Sequence, residues 1–273
     1  MSSLLEMFSY SFMVRALVVG VLISLSAALV GTPLVLKRNA MLSDGLSHVA
    51  FGAFALASVL GFAPVFVAIP IVVVVSFFVL RLEANAKIHG DAAIALMSAS
   101  ALAIGTIVVS LAGTNVDINS YLFGSILSVG ESEVWLSLGL LVMIIVIYAV
   151  FHNKIFAVTF DEKFARAIGI NTKMLNMVFA MLCSVLIVLG MRLVGALLIS
   201  SLVIFPTLTA QTMFKSFKSV TIAGAVFAVV NFVVGLLVSY WLRMPTGATV
   251  VVVNLAVLVL LKVFSAIFGM QKR

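Results

Sequence analysis

The segment Ser43-Asp44-Gly45-Leu46-Ser47-His48 carries the pair of side chains best suited to chemistry in this chain. A carboxylate and an imidazole stand four residues apart at the start of an apolar stretch, and positions i and i+4 of a helix share one face. One oxygen donor and one nitrogen donor on one face suit zinc or manganese, with the remaining ligands drawn from other helices, backbone or water. Ser47 lies beside the pair and is a candidate to orient these ligands without touching the ion. Spacing alone favours a plainer reading, in which Ser43 or Asp44 caps the helix and His48 sits wet near an interface. An ionisable residue inside a bilayer weighs the other way, because its burial is costly unless it does something.

A second informative stretch runs from Thr159 to Ile170. Thr159 and Glu162 fit a capping box for a short helix through Ile168, ended by Gly169. Phe160, Phe164, Ala167 and Ile168 are apolar on it, whereas Asp161, Lys163 and Arg166 are polar. Such a helix is too short to cross a membrane. It either lies along the interface or docks a soluble partner.

The elements that must position these residues follow from composition. Hydrophobic residues make up 64% of the chain and charged residues 9%, with a mean hydropathy of +1.34, which excludes a water-soluble surface. Apolar runs near the roughly 20 residues of a spanning helix argue for helices rather than a barrel, whose strands would alternate. The expected class is an all-α polytopic membrane protein, 1–273 forming one transmembrane domain. Nine spans are expected near 12–36, 42–62, 64–82, 91–112, 134–151, 174–193, 195–213, 219–241 and 246–267, or eight if one break is misread. Basic clusters at Lys37 and Arg38, Lys87, Lys154 through Lys173, Lys215 and Lys218, and Lys272 and Arg273 follow alternate turns. The positive-inside rule then puts the N-terminus outside and the C-terminus in the cytoplasm of a multi-pass cell-membrane protein.

Two regions break the pattern of plain crossings. Asn119 to Val129 is expected to form a short or re-entrant helix on the outer side, and Arg192 to Pro206 to interrupt a long apolar run. Asp91 is expected as a helix cap, His89 and His152 as solvated loop residues, and Asn231, Asn254 and Gln211 as interhelical hydrogen-bond donors. Cys183, the single cysteine, excludes an internal disulfide or thiolate cluster and is read as packing or facing lipid. The net charge of +7 is dispersed between apolar runs, so no nucleic acid is expected as a partner. No phosphate-binding G-x-x-x-x-G-K-[ST] loop occurs, so energy for any pump must come from another chain.

At these positions the sequence resembles the membrane permease subunits of zinc- and manganese-type ABC importers. Lys37 to Met41 followed by Asp44 to His48 is similar to that family's basic turn and D-x-x-x-H segment. Gly90 to Ile94, Ser120 to Gly124, Phe160 to Gly169, and Val194 to Leu198 through Pro206 match further landmarks in order. The resemblance implies an importer of two permease copies, two cytoplasmic ATPase subunits and an extracytoplasmic metal-binding protein, working by alternating access. It implies that Asp44 and His48 bind the transported ion, zinc first and then manganese, with no permanently bound cofactor and no enzyme activity in this chain. It also makes Asp161, Glu162, Phe164, Ala165, Arg166 and Gly169 parts of an ATPase-coupling helix. The competing class is an ion- or proton-coupled carrier without an ATPase.

Overall fold

The computed structural model describes residues 9–84, 90–112, 118–125 and 129–267. Lys87, His89, Lys272 and Arg273 lie outside the described residues, as does part of the outer segment from Asn115. Among the described residues every regular element is a helix: α1 (Ser11–Leu36), α2 (Met41–Val59), α3 (Pro64–Ala84), α4 (Gly90–Ala112), α5 (Ile118–Phe123), α6 (Glu131–Phe160), α7 (Glu162–Ala167), α8 (Thr172–Val194), α9 (Ala196–Met213), α10 (Phe217–Leu242) and α11 (Thr246–Ile267). Eight are long and apolar enough to cross a bilayer. The ninth expected span falls on α9, of 18 residues, whose apolar part Leu198–Met213 is shorter than those eight. The all-α polytopic class holds, and α5 and α7, six residues each, are the short elements expected from the sequence.

Intrahelical hydrogen bonds satisfy the backbone, so the outward faces need only be apolar. Val74, Phe78, Ile104, Leu111, Val150 and Leu260 are all exposed on them, as lipid contact requires. The centre is built by α1, α2, α8 and α9, whose buried residues include Ile23, Phe54, Leu186 and Ile199. There α1 packs against α6 and α10, α2 against α4, and α3 against α8. Asn231 of α10 donates to Asn254 of α11 at 2.9 Å, the interhelical bond expected of that pair, whereas Gln211 is exposed. Cys183 is fully buried, so it packs rather than facing lipid.

The break expected within Arg192 to Pro206 falls at Gly195, with φ +98°, while Pro206 sits inside α9. Gly195 alone joins α8 to α9 and turns the chain back on itself. A Cβ here would lie 2.3 Å from the Leu122 carbonyl oxygen, and one on Gly124 2.4 Å from that of Leu193. The two glycines thus let α5 seat its backbone against the α8–α9 turn. The buried carboxylate of Glu133 pairs with Arg192 and accepts from the Gly130 amide at 3.0 Å, fastening the start of α6 to the same place.

Three local expectations are corrected. The helix α6 continues past 151 through a kink at Phe151, so His152 and Lys154 are helical, and the His152 ring packs 5.6 Å from Phe217 instead of lying in a loop. Thr159 is the buried last turn of α6 and donates to the Ile155 carbonyl at 2.7 Å, so it cannot cap the next helix. Asp91 lies inside the first turn of α4 rather than at its cap.

Gly195→Ala meets both a left-handed backbone and a carbonyl contact, and is expected to destabilise by about 2 kcal/mol or more. Gly139→Ala in α6 is the control, since a Cβ there meets nothing within 4 Å. Thermal denaturation of the purified protein checks this, with a lowered midpoint for the first variant and none for the second.

Candidate functional site

The helix α2 begins at Met41 with Ala40 as its N-cap and no side-chain cap, so neither Ser43 nor Asp44 caps it. Ser43 donates instead to the Ala40 carbonyl at 2.8 Å. The freed Asp44 carboxylate, 44% exposed, accepts from Ser200 Oγ at 3.3 Å, a hydroxyl delivered by the second turn of α9. His48 lies on the same face one turn on, with Nε2 4.0 Å from Asp44 Oδ2 and its side chain 17% exposed. Its Nδ1 is buried without a hydrogen-bond partner. The Ser47 hydroxyl donates to the Asp44 main-chain carbonyl at 2.7 Å, which fixes the helix turn under the carboxylate and leaves the hydroxyl turned away from the pair. Sequence reasoning missed Ser200. The interrupted stretch Arg192 to Pro206 was the signal, but the 156-residue separation could not be bridged without the fold.

The depth of this pair follows from helix register. Asp44 is three residues from the start of its own helix, yet its partner Ser200 is followed by thirteen more residues of α9. At 1.5 Å per residue, α9 runs on for about 20 Å toward the end of the bundle that carries the lysines. The start of α2 is therefore recessed. The close approach that allows it is at Gly31, where a Cβ would lie 2.1 Å from the Val203 carbonyl.

At 4.0 Å, Asp44 and His48 are too far apart to hydrogen-bond to one another. The distance is within reach of two metal bonds of about 2.1 Å each, so one cation could take both donors with little movement. Ser200 adds an oxygen on the same side. Among the described residues no third histidine, cysteine or acid joins them, so a bound ion would keep water or backbone ligands.

At the lysine-bearing end, α7 is placed by a second cluster. Asp161, not Thr159, caps it, accepting from the Phe164 amide at 2.9 Å. Gly169, at φ +85°, ends the turn as the sequence suggested, and Ala165 is fully buried with Val158 and Leu175. Glu162 takes the Lys37 ammonium at 3.1 Å, Asn176 at 3.3 Å and Arg166 at 3.2 Å. Lys37 also donates to Asn176 at 2.8 Å, so the turn after α1 is tied to α7 and α8. The opposite face of α7 shows Phe164 and Ile168 to solvent, 57% and 55% exposed.

Burial works against the Glu162 carboxylate, but the Lys37 ammonium and hydrogen bonds from Lys37, Asn176 and Thr172 outweigh it, and its pKa falls below the ordinary 4.5. A depressed carboxylate contributes its full stabilisation above that ordinary value and loses it as pH falls through the lower, docked one. Hydrogen exchange of the 162–170 amides, corrected for intrinsic rates, should therefore show protection that weakens only in that acid range. Glu162→Gln should lower the protection at neutral pH and flatten its dependence on pH.

The chain is similar to known membrane transport proteins over most of its length. The model of the ABC 3 transport family matches residues 9–265. The manganese import system permease protein ScaB of Streptococcus gordonii is 27% identical over 90% of this chain and 88% of its own. The manganese transport system membrane protein MntC of Halalkalibacterium halodurans is 26% identical over 98% and 92%. Among solved structures, PsaBC from Streptococcus pneumoniae in complex with Fab superposes with a TM-score of 0.82 at 26% identity, covering 92% of this chain and 91% of that one. With eight helices long and apolar enough to cross a bilayer and a family match that spans nearly its whole length, the chain belongs to the ABC 3 transport family.

Proposed function

We propose that this chain is the membrane subunit of an importer for a divalent transition-metal ion, with Asp44 and His48 as ligands in the pathway and Ser200 beside them. The convergence of an acidic oxygen, an imidazole and a hydroxyl at a recessed helix start carries this reading. Charged and polar groups that deep in a bundle are costly and belong to pathways. Manganese is the first choice of cargo and zinc the second, reversing the order taken from the sequence. An oxygen-rich set with one imidazole and no thiolate suits the harder ion, and both relatives above are named for manganese.

In the proposed cycle two copies of the chain form the pathway, and an extracytoplasmic protein delivers the ion. The lysine-bearing end faces the cytoplasm, in keeping with the positive-inside rule. Phe164 and Ile168 offer two cytoplasmic ATPase subunits an apolar anchor of the kind that dominates interfaces. The Lys37–Glu162–Asn176 cluster links that dock to the turn between α1 and α2, and so to Asp44 three residues into α2. Motion of the docked α7 on ATP binding reaches the site through one short connection. A carrier driven by an ion gradient leaves the exposed side of α7 without a role.

Uptake of manganese, zinc and iron into vesicles holding the full importer tests this. Asp44→Ala and His48→Ala should each cut ATP-dependent manganese uptake by at least tenfold, since each loses a charged or imidazole ligand. Phe164→Ala with Ile168→Ala should release the ATPases while leaving the permease folded. Normal uptake in both ligand variants would return the pair to a structural role.

A further inference from the structure

A cavity of about 820 Å³ opens at the lysine-bearing end between α1, α3, α6, α7 and α8, with Leu42 at the start of α2 on its wall. Neither Asp44, His48 nor Ser200 lines it. Its polar lining includes four cations, Lys37, Arg81, Arg166 and Lys173, against the single carboxylate of Glu162. Lys37 and Arg166 both pair with that carboxylate. Arg81, in the last turn of α3, and Lys173, in the first turn of α8, are exposed and form no ion pair among the described residues. A surplus of positive charge of this size repels a divalent cation, so the cavity is no part of the cargo's route.

The deeper wall changes character. Phe77, Leu80, Ile155 and Phe179 line it, and Phe179 lies seven residues along α8, about 10 Å from its first turn. A cationic mouth over an apolar wall, beside helices whose outer faces are lipid-facing, fits a ligand with an anionic head and a hydrocarbon body. A small soluble anion would use the mouth and leave the apolar wall unfilled. A basic pocket between transmembrane helices on the cytoplasmic side is the setting in which anionic headgroups bind.

We propose that this cavity seats an anionic phospholipid of the cytoplasmic leaflet, its phosphate between Arg81 and Lys173 and its first acyl carbons along Phe77, Leu80 and Phe179. The leaflet rests on the sidedness proposed above, but occupancy does not. Because Glu162 and Arg166 of α7 line the same cavity, a bound headgroup bridges α3 to the element that docks the ATPases. Lipid composition would then bear on coupling without touching the metal site.

The test is native mass spectrometry of the intact transporter, permease with its ATPases, released from detergent containing equal phosphatidylglycerol and phosphatidylcholine. One phosphatidylglycerol should stay on each permease copy, favoured over phosphatidylcholine by about tenfold or more, as two removable basic contacts imply. Arg81→Gln with Lys173→Gln should abolish the preference. Lys215→Gln with Lys218→Gln, on another connection at the same end, should keep it. If the first variant does not assemble, a photoreactive phosphatidylglycerol on the wild type decides, with labels expected on α3 and α8. Equal retention of both lipids, retention by the Arg81 and Lys173 variant, labels elsewhere, or displacement of the lipid by excess inorganic phosphate would each overturn the proposal. None of these readouts involves metal, so they separate from failure of the transport reading.

Discussion

A carboxylate placed inside a bilayer must be hydrated, paired or neutralised, and this requirement organises the centre of the molecule. Asp44 stands three residues into α2, but α2 starts deep enough for Ser200 to reach it from the second turn of α9. That approach depends on Gly31, which lets α1 lie against the Val203 backbone. It also depends on Gly195, whose left-handed conformation turns α8 directly into α9 and brings Ser200 to that level. A longer connection would move Ser200 along its helix and leave the carboxylate with water alone.

The two ends of the bundle are built on different principles. Around Gly195 the backbones are in close contact: Gly124, Gly195 and Gly247 each leave no room for a Cβ, and the buried Glu133–Arg192 pair locks the seam. Tight packing of this kind has discrete rather than graded alternatives. At the other end contacts are polar, half-exposed and adjustable. Glu162 takes bonds from three different side chains there, Lys37, Asn176 and Arg166. The coupling role proposed for α7 would use that freedom.

Most of the architecture was legible because a bilayer imposes a simple code. Of the nine apolar runs, eight became helices long enough to cross and the ninth became the shorter α9, and the boundary between α8 and α9 fell at Gly195, inside the expected break. The face shared by Asp44 and His48 followed from helical period alone. What could not be read was any relation across long separations or any competition between neighbours. Thr159 and Asp161 both suit an N-cap, and the longer α6 decided for Asp161 by absorbing Thr159 into its last turn. His152 looked like a loop residue because the polar run His152 to Lys154 resembles a helix end, yet packing on Phe217 continues the helix through a kink. Ser200 was one of several serines in an apolar run until the fold set it beside a carboxylate 156 positions away.

The proposed function stands on Asp44 and His48 holding one ion together. X-ray absorption at the manganese edge, on the importer loaded with manganese in lipid nanodiscs and washed of free ion, tests it most directly. A single histidine among otherwise oxygen ligands, with no sulfur, is the expected first shell, and the histidine signal should vanish in His48→Ala. A shell of oxygen alone in the wild type, or a histidine signal that persists in His48→Ala, would contradict it.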